Sequence, residues 1–283
     1  MYHKNLNMRF LCYTQNIPAM NQFIAPIWGD EGFSAILSMK SLPQIIKIIA
    51  NDTSPPLWNI FEWAVFRLFG TDEVVIRSLA FLFFIGTVFF TFKIAEHFWN
   101  KRTAVLAAVL TFLNPFFFIY AFEGRMYSIL ALGVTASFYF LFKKNWVGYV
   151  IATLWALYSH HFAIFAVFLQ GFYFLNKFLF GSKKEAGQMF KAFIAIGIGY
   201  LPWIYPLYLQ TSKVAGGFWL GTPDLKDLRN VIYDYLAEGI KSHPYEVLGQ
   251  PLHRIALWFV LATLTLRRWF DHIKSSFWPL VWF

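Results

Sequence analysis

Seven runs of mostly apolar residues, at 74–98, 103–121, 126–142, 146–158, 162–180, 190–209 and 251–266, dominate this chain. A helix that crosses a bilayer needs about 20 such residues. Within lipid, only helices and closed barrels satisfy every backbone polar group. Runs of this length, separated by short charged joints, predict an all-α polytopic membrane protein. The 146–158 run is short and has to tilt or continue through the Ser159-His160-His161 break. A last apolar stretch, 277–283, stops with the chain, so roughly 7–9 transmembrane helices are expected. Composition agrees, since only 14% of the 283 residues are charged, against about 25% in an ordinary soluble domain. Thirty-five Phe, 14 Tyr and 12 Trp are too many for one water-soluble core. A soluble globular enzyme is thereby excluded, and so is disorder, which requires low hydrophobicity. The single cysteine, Cys12, leaves no intramolecular disulfide and no cysteine-based metal cluster.

The joints carry the topology. Lys101 and Arg102, Lys143 and Lys144, Lys183 and Lys184, then Arg267, Arg268 and Lys274 fall on every second joint. The opposite joints hold Glu123, the His160-His161 pair and the 210–250 segment with Asp224, Asp227, Asp234, Glu238 and Glu246. Positive joints mark the cytoplasm. The acidic joints therefore face outside, together with Asp30, Glu31, Asp52, Asp72 and Glu73. The net charge of +9 is explained by this asymmetry, and no nucleic-acid partner is expected. Residues 28–73 form a first outer loop in which Phe33, Ile36, Leu37 and Ile45, Ile46, Ile48, Ile49 alternate with Lys40, Gln44 and Lys47. That pattern suits helices lying in the membrane interface. Pro55-Pro56 then opens a short helix ending near Gly70. The region 8–27 is too polar for a span and lacks the form of a signal peptide. The whole, 1–283, reads as a single membrane module truncated at both ends.

Five places could carry chemistry. In Trp28-Gly29-Asp30-Glu31-Gly32, adjacent carboxylates sit at a membrane surface. Asp30 can serve as a general base towards an acceptor hydroxyl, with Glu31 orienting substrate or sharing the charge; the alternative is a solvated loop with helix-capping acids. Asp52 either caps the helix that starts near Pro55 or contacts a ligand. Glu123-Gly124-Arg125 lies at the next outer joint. There the Arg125 fork can bind a phosphate and Glu123 can hold it or a sugar hydroxyl, or the two form an ordinary interfacial ion pair. His160 and His161 are adjacent and so do not face one point on a helix. No HExxH spacing occurs, so a metal is not indicated, and the pair reads as a lipid-phosphate contact or an interfacial anchor. Trp219, after Gly216-Gly217, offers a stacking surface for a sugar ring or prenyl chain, or is part of an interfacial aromatic belt.

The order of these features is more specific than any one of them. Trp28-Gly29-Asp30-Glu31-Gly32-Phe33, Asp52-Thr53-Ser54-Pro55-Pro56-Leu57, Leu68-Phe69-Gly70, Arg77 and Glu123-Gly124-Arg125-Met126-Tyr127 follow one another, then Ser159-His160-His161-Phe162, Leu201-Pro202-Trp203 and Gly217-Phe218-Trp219. This series resembles the membrane-embedded GT-C glycosyltransferases, in particular the group of protein O-mannosyltransferases, lipid A aminoarabinose transferases and rhizobial lipopolysaccharide galacturonosyltransferases. The resemblance runs from about Ile27 to Leu220. It implies a GT-C-type bundle with interfacial helices in its first outer loop, and a polyprenyl-phosphate sugar as donor. It implies transfer to a lipid, glycan or protein acceptor, with inversion, on the outer face of the plasma membrane. Carried to this chain, Asp30 is the base and Glu31 its catalytic neighbour. Asp52, Glu123, Arg125, Tyr127, His160, His161 and Trp219 bind substrate. The resemblance names no definite cofactor beyond the polyprenyl-phosphate sugar as donor substrate, and a divalent metal is compatible but not indicated. The chain departs from the family in showing no span before Asp30 and in stopping within an apolar run. A non-catalytic membrane subunit is the competing reading. A lipid or sugar transporter fits less well, because the charges sit at joints and not mid-span.

Overall fold

The apolar runs between residues 74 and 209 fold as helices. The structure is a computed structural model that describes residues 22–215 and 224–233, with residues 258, 259, 262, 263 and 266, and every regular element among them is helical. A 3-10 turn at Gln22–Ile24 leads to three helices ahead of the first long apolar one: α1 (Gly29–Ser38), α2 (Leu42–Ile49) and α3 (Leu57–Phe69). Next come α4 (Glu73–Phe98), α5 (Lys101–Leu113), α6 (Pro115–Tyr120), α7 (Tyr127–Phe142), α8 (Trp146–Ser159), α9 (Ala163–Phe180) and α10 (Lys183–Ala215). The last, α11 (Leu225–Tyr233), is opened by Asp224, whose Oδ1 accepts the N–H groups of Lys226 and Asp227.

Among the described residues, three helices are long and apolar enough to cross a membrane: Glu73–Phe98, Ala163–Phe180 and Lys183–Val214. Tyr127–Phe142 and Trp146–Ser159 are apolar but shorter. The 103–121 run, expected as one span, is broken. Asn114 ends α5, and its Oδ1 accepts the N–H groups of Phe116 and Phe117, while Pro115 takes the first position of α6. An Asn cap followed by Pro is a strong helix start, and here it outweighs the apolar continuity. The 190–209 run lies inside a longer helix that tolerates Pro202 and Pro206. The outer segment expected from residue 210 accordingly begins later, since α10 reaches Ala215. The 251–266 and 277–283 runs lie outside the continuously described residues.

Packing centres on α4, α7 and α8. One core joins Ala35 of α1 and Trp58 of α3 to Ile76, Leu79, Ala80 and Phe83 of α4 and Ile129 of α7. A second joins Tyr149, Ala156 and Leu157 of α8 to Met189, Ala192 and Ile196 of α10. The outward faces are apolar as well: α9 exposes Phe165, Phe168, Leu169 and Phe172, and α10 exposes Phe190, Ile194, Ile198 and Leu201. Water-soluble monomers rarely leave apolar patches of this extent uncovered, whereas lipid covers them at no cost.

The α7–α8 contact depends on a missing side chain. A Cβ at Gly133 would stand 2.9 Å from the Ala156 backbone N and 2.8 Å from the Trp155 ring. Backbone cannot yield as a side-chain tip can. Gly133→Ala is therefore expected to lower stability by about 1–3 kcal/mol, the usual cost of overpacking, read as an earlier loss of helical circular dichroism on heating in detergent. An unchanged melt would mean that α7 and α8 separate freely.

Candidate functional site

The site grows from the N-terminus of α1. Glu31, in the first turn, points inward and reaches back to the N–H of Trp28 at 3.4 Å. Its Oε1 accepts the Gly124 N–H at 2.7 Å and its Oε2 accepts from Arg77 Nη2 at 3.0 Å. Arg77, one turn into α4, also donates to the carbonyls of Ala25 (3.2 Å), Pro26 (3.0 Å) and Phe122 (2.8 Å). Both partners of this ion pair are buried, at 3% and 1% exposure. Burial raises the Glu31 carboxyl, and Arg77 with the Gly124 and Trp28 N–H groups pulls against it. Gly124 sits tightly against α4 and α1: a Cβ there would run into the Ile76 side chain and stand 3.4 Å from Glu31 Oε1.

Asp30 turns the other way. Its side chain is 61% exposed and stands 3.3 Å from Arg125 Nη1, which also donates to the Asp30 carbonyl at 3.3 Å. Adjacent in sequence, Asp30 and Glu31 thus do different work: Glu31 is sealed into the joint between loops, and Asp30 stays open beside a cation. The ion pair expected as an alternative between Glu123 and Arg125 is replaced by the Asp30–Arg125 pair. Glu123 is buried, and burial, reinforced by Glu31, pushes its carboxyl up to about 8, with Arg125 opposing. At neutral pH Glu123 is therefore mostly a neutral acid.

A small cleft opens beside Arg125, lined by Ser34, Asp52, Ser54, Trp58, Asn59 and Met126 among others. Asp52 does not cap α3, whose N-cap is Pro56 with no side-chain cap bond. It instead follows α2 in a turn, with its N–H bonded to the Ile49 carbonyl, and faces the cleft. The loop that carries it is held from α10: Gln210 Nε2 donates to the carbonyls of Ile49 (2.7 Å) and Ser54 (3.2 Å). Gln210 Oε1 in turn lies 2.8 Å from His161 Nε2. With Nε2 carrying the proton, His161 is the donor to Gln210 and works as part of this clamp.

His160 accepts the Phe162 N–H on Nδ1 at 3.0 Å and its ring centroid lies 6.0 Å from that of Tyr127. Burial, helped by His161 and Arg125, pushes His160 down to about 4. It is a neutral imidazole near neutral pH and reaches a phosphate only as an N–H donor. Tyr127 opens α7 with its ring 4.6 Å from that of Tyr120. Asp30, Glu31, Glu123, Arg125, Tyr127 and His160 therefore gather at one end of the bundle. Asp52 joins through the cleft and His161 through Gln210, while Trp219 lies outside the described residues. No group of three His, Cys, Asp or Glu side chains that could hold a metal ion occurs among the described residues.

Two parts of this arrangement escape the sequence reading. Arg77 enters it only as a motif residue, although it is the partner of Glu31. A buried network of Ser34, Ser38, Trp58, Asn59 and Glu62 behind the cleft has a signal: two serines four apart on α1, and Asn59 and Glu62 three apart on α3, place polar groups on facing stripes. No protein-family model matches the chain, and neither a curated protein nor a solved structure is significantly similar to it.

Removing one member of a buried pair strands the other charge, which commonly costs about 3–5 kcal/mol. Arg77→Met should lose about that much stability, whereas Arg77→Met with Glu31→Gln should recover part of it. Denaturant unfolding of detergent-solubilised protein measures both. Equal losses in the single and double variants would deny Arg77–Glu31 its central role.

Proposed function

We propose that this chain is a membrane glycosyltransferase of GT-C type, a bundle of roughly 7–9 transmembrane helices with its site on the outer face of the plasma membrane. It moves a sugar from a polyprenyl phosphate to a lipid, glycan or protein acceptor. The observation that carries the proposal is the solvent-facing Asp30 carboxylate paired with Arg125, which itself lines a cleft at the end of an apolar bundle. Those are the parts such a transfer requires. The prenyl chain stays in lipid, its phosphate meets a cation at the surface, and an acceptor hydroxyl finds a base.

In the proposed step, Asp30 takes the proton of the acceptor hydroxyl as that oxygen attacks the anomeric carbon. The bond from that carbon to the phosphate oxygen breaks, and the configuration inverts. The electron pair leaves with the lipid phosphate, towards which Arg125 turns its guanidinium. This uses Arg125 twice: it parks the base before the donor arrives, and it receives the leaving group afterwards. Glu123, as a neutral acid, can donate a hydrogen bond to a phosphate or sugar oxygen without repelling it.

The test is transfer from a panel of polyprenyl-phosphate sugars by purified protein in liposomes. Asp30→Asn should lower kcat by about a hundredfold or more, with donor binding retained, and Arg125→Ala by about 10²–10³. Full activity in Asp30→Asn would remove Asp30 as base. No transfer by wild type from any donor would favour the non-catalytic subunit.

A further inference from the structure

Behind the cleft lies a buried carboxyl group with no cation beside it among the described residues. Glu62 of α3 is fully buried, and its Oε2 accepts the hydroxyl hydrogens of Ser34 (2.9 Å) and Ser38 (2.7 Å) from α1. The direction of both bonds follows from the rest of the network. Ser34 Oγ already receives Trp58 Nε1–H (3.0 Å) and Asn59 Nδ2–H (3.0 Å), so its own hydrogen is left for Glu62. Ser38 Oγ receives Asn59 Nδ2–H (2.9 Å) and likewise gives its hydrogen to Glu62. Apart from a bond of Asn59 Nδ2 to the Ser34 carbonyl (3.3 Å), the donors of the network converge, directly or through a serine, on one oxygen. The other oxygen, Oε1, has no hydrogen-bond partner among the described residues.

We propose that Glu62 is a positioning residue for the candidate site: its carboxyl group gathers Ser34 and Ser38 against α3, and so sets both the wall of the cleft and the end of α1 that carries Asp30. Ser34, Trp58 and Asn59 line the cleft together with Arg125, and Asp30 lies one helical turn ahead of Ser34. A shift of α1 against α3 would therefore move the base and the binding wall together.

The group performs this work uncharged. Two serine hydrogens can satisfy one oxygen of a neutral acid, but a carboxylate would leave half its charge on an unpartnered atom in the interior. The charges around it do not supply the missing cation. On α1, Glu31 raises it further by repulsion, and Asp30 is turned to solvent against Arg125. On α3, Arg67 lies over the Trp63 ring and donates to the Lys40 and Trp63 carbonyls. On α4, Arg77 is engaged by Glu31. Lys40 and Lys47 belong to the α1–α2 turn and α2, Asp52 faces the cleft, and α8 contributes only Tyr149 and Tyr158 as titratable groups. Burial, the largest influence, pushes Glu62 up to about 8. With its folded value above the ordinary one, the stability it provides is fully present below the normal carboxylate range and is lost as pH rises through about 8.

Glu62→Gln keeps the shape and removes the titration, while Glu123, which titrates in the same range, stays unchanged between the two proteins. Melting of detergent-solubilised wild type is expected to fall between about pH 6 and about pH 9 by clearly more than that of Glu62→Gln. The activity readout rests on the proposed transfer reaction. There, wild-type kcat should decline on the alkaline side with little change in donor KM, Glu62→Gln should hold its activity to higher pH, and Glu62→Ala should lose kcat about tenfold or more at every pH. The same alkaline fall in Glu62→Gln as in wild type would overturn the proposal, as would a folded Glu62→Gln that is inactive near pH 6. If wild type transfers no sugar at all, it is the reaction reading that fails, and the melting comparison alone decides for or against Glu62.

Discussion

The Glu31–Arg77 pair holds the site-bearing end of this protein together. A carboxylate and a guanidinium facing each other at 3.0 Å in a buried place are tolerable only if the remaining donors and acceptors are also satisfied. Here they are, by the Gly124 and Trp28 N–H groups on one side and the Ala25, Pro26 and Phe122 carbonyls on the other. Those partners come from the segment leading into α1 and from the joint after α6, while Glu31 itself belongs to α1 and Arg77 to α4. Three separate pieces of chain thereby meet at one electrostatic centre.

Because Glu31 is committed to this centre, its neighbour is free to face solvent. Two consecutive residues in the first turn of a helix point about 100° apart. When one is locked inward, the direction of the other is fixed as well. Asp30 comes to stand beside Arg125, which follows directly on the glycine that Glu31 holds. The open pair is thus a geometric product of the closed one. On the proposed reading, the first supplies the chemistry and the second the rigidity that chemistry requires.

How much of this can be read from the sequence depends on the length scale of the cause. The long run that becomes α4 and the joints rich in Lys and Arg follow from local hydropathy, and α4 starts one residue before the expected run. The break at Asn114-Pro115 is also local and was legible as a cap, but apolar continuity through Phe116, Phe117 and Phe118 hides it. The separate fates of Asp30 and Glu31 are not local. They depend on Arg77 and Gly124, 46 and 93 residues away, and no periodicity encodes such a partnership. Glu62 stands between: a carboxylate inside Leu57-Trp58-Asn59-Ile60-Phe61-Glu62-Trp63 is conspicuous, yet only the facing serines explain why it can be buried.

Gln210 holds the Asp52 loop from far along the chain, 161 positions after Ile49 and 156 after Ser54. During synthesis the loop emerges long before its clamp. At about 5–20 residues per second, the interval is on the order of ten seconds. For that time the rim of the cleft has its own helices but not the hydrogen bonds that hold it. Completion of the site is therefore a late event in biogenesis, coupled to the insertion of α10, and an interrupted nascent chain would carry every acidic residue of the site without its final rim.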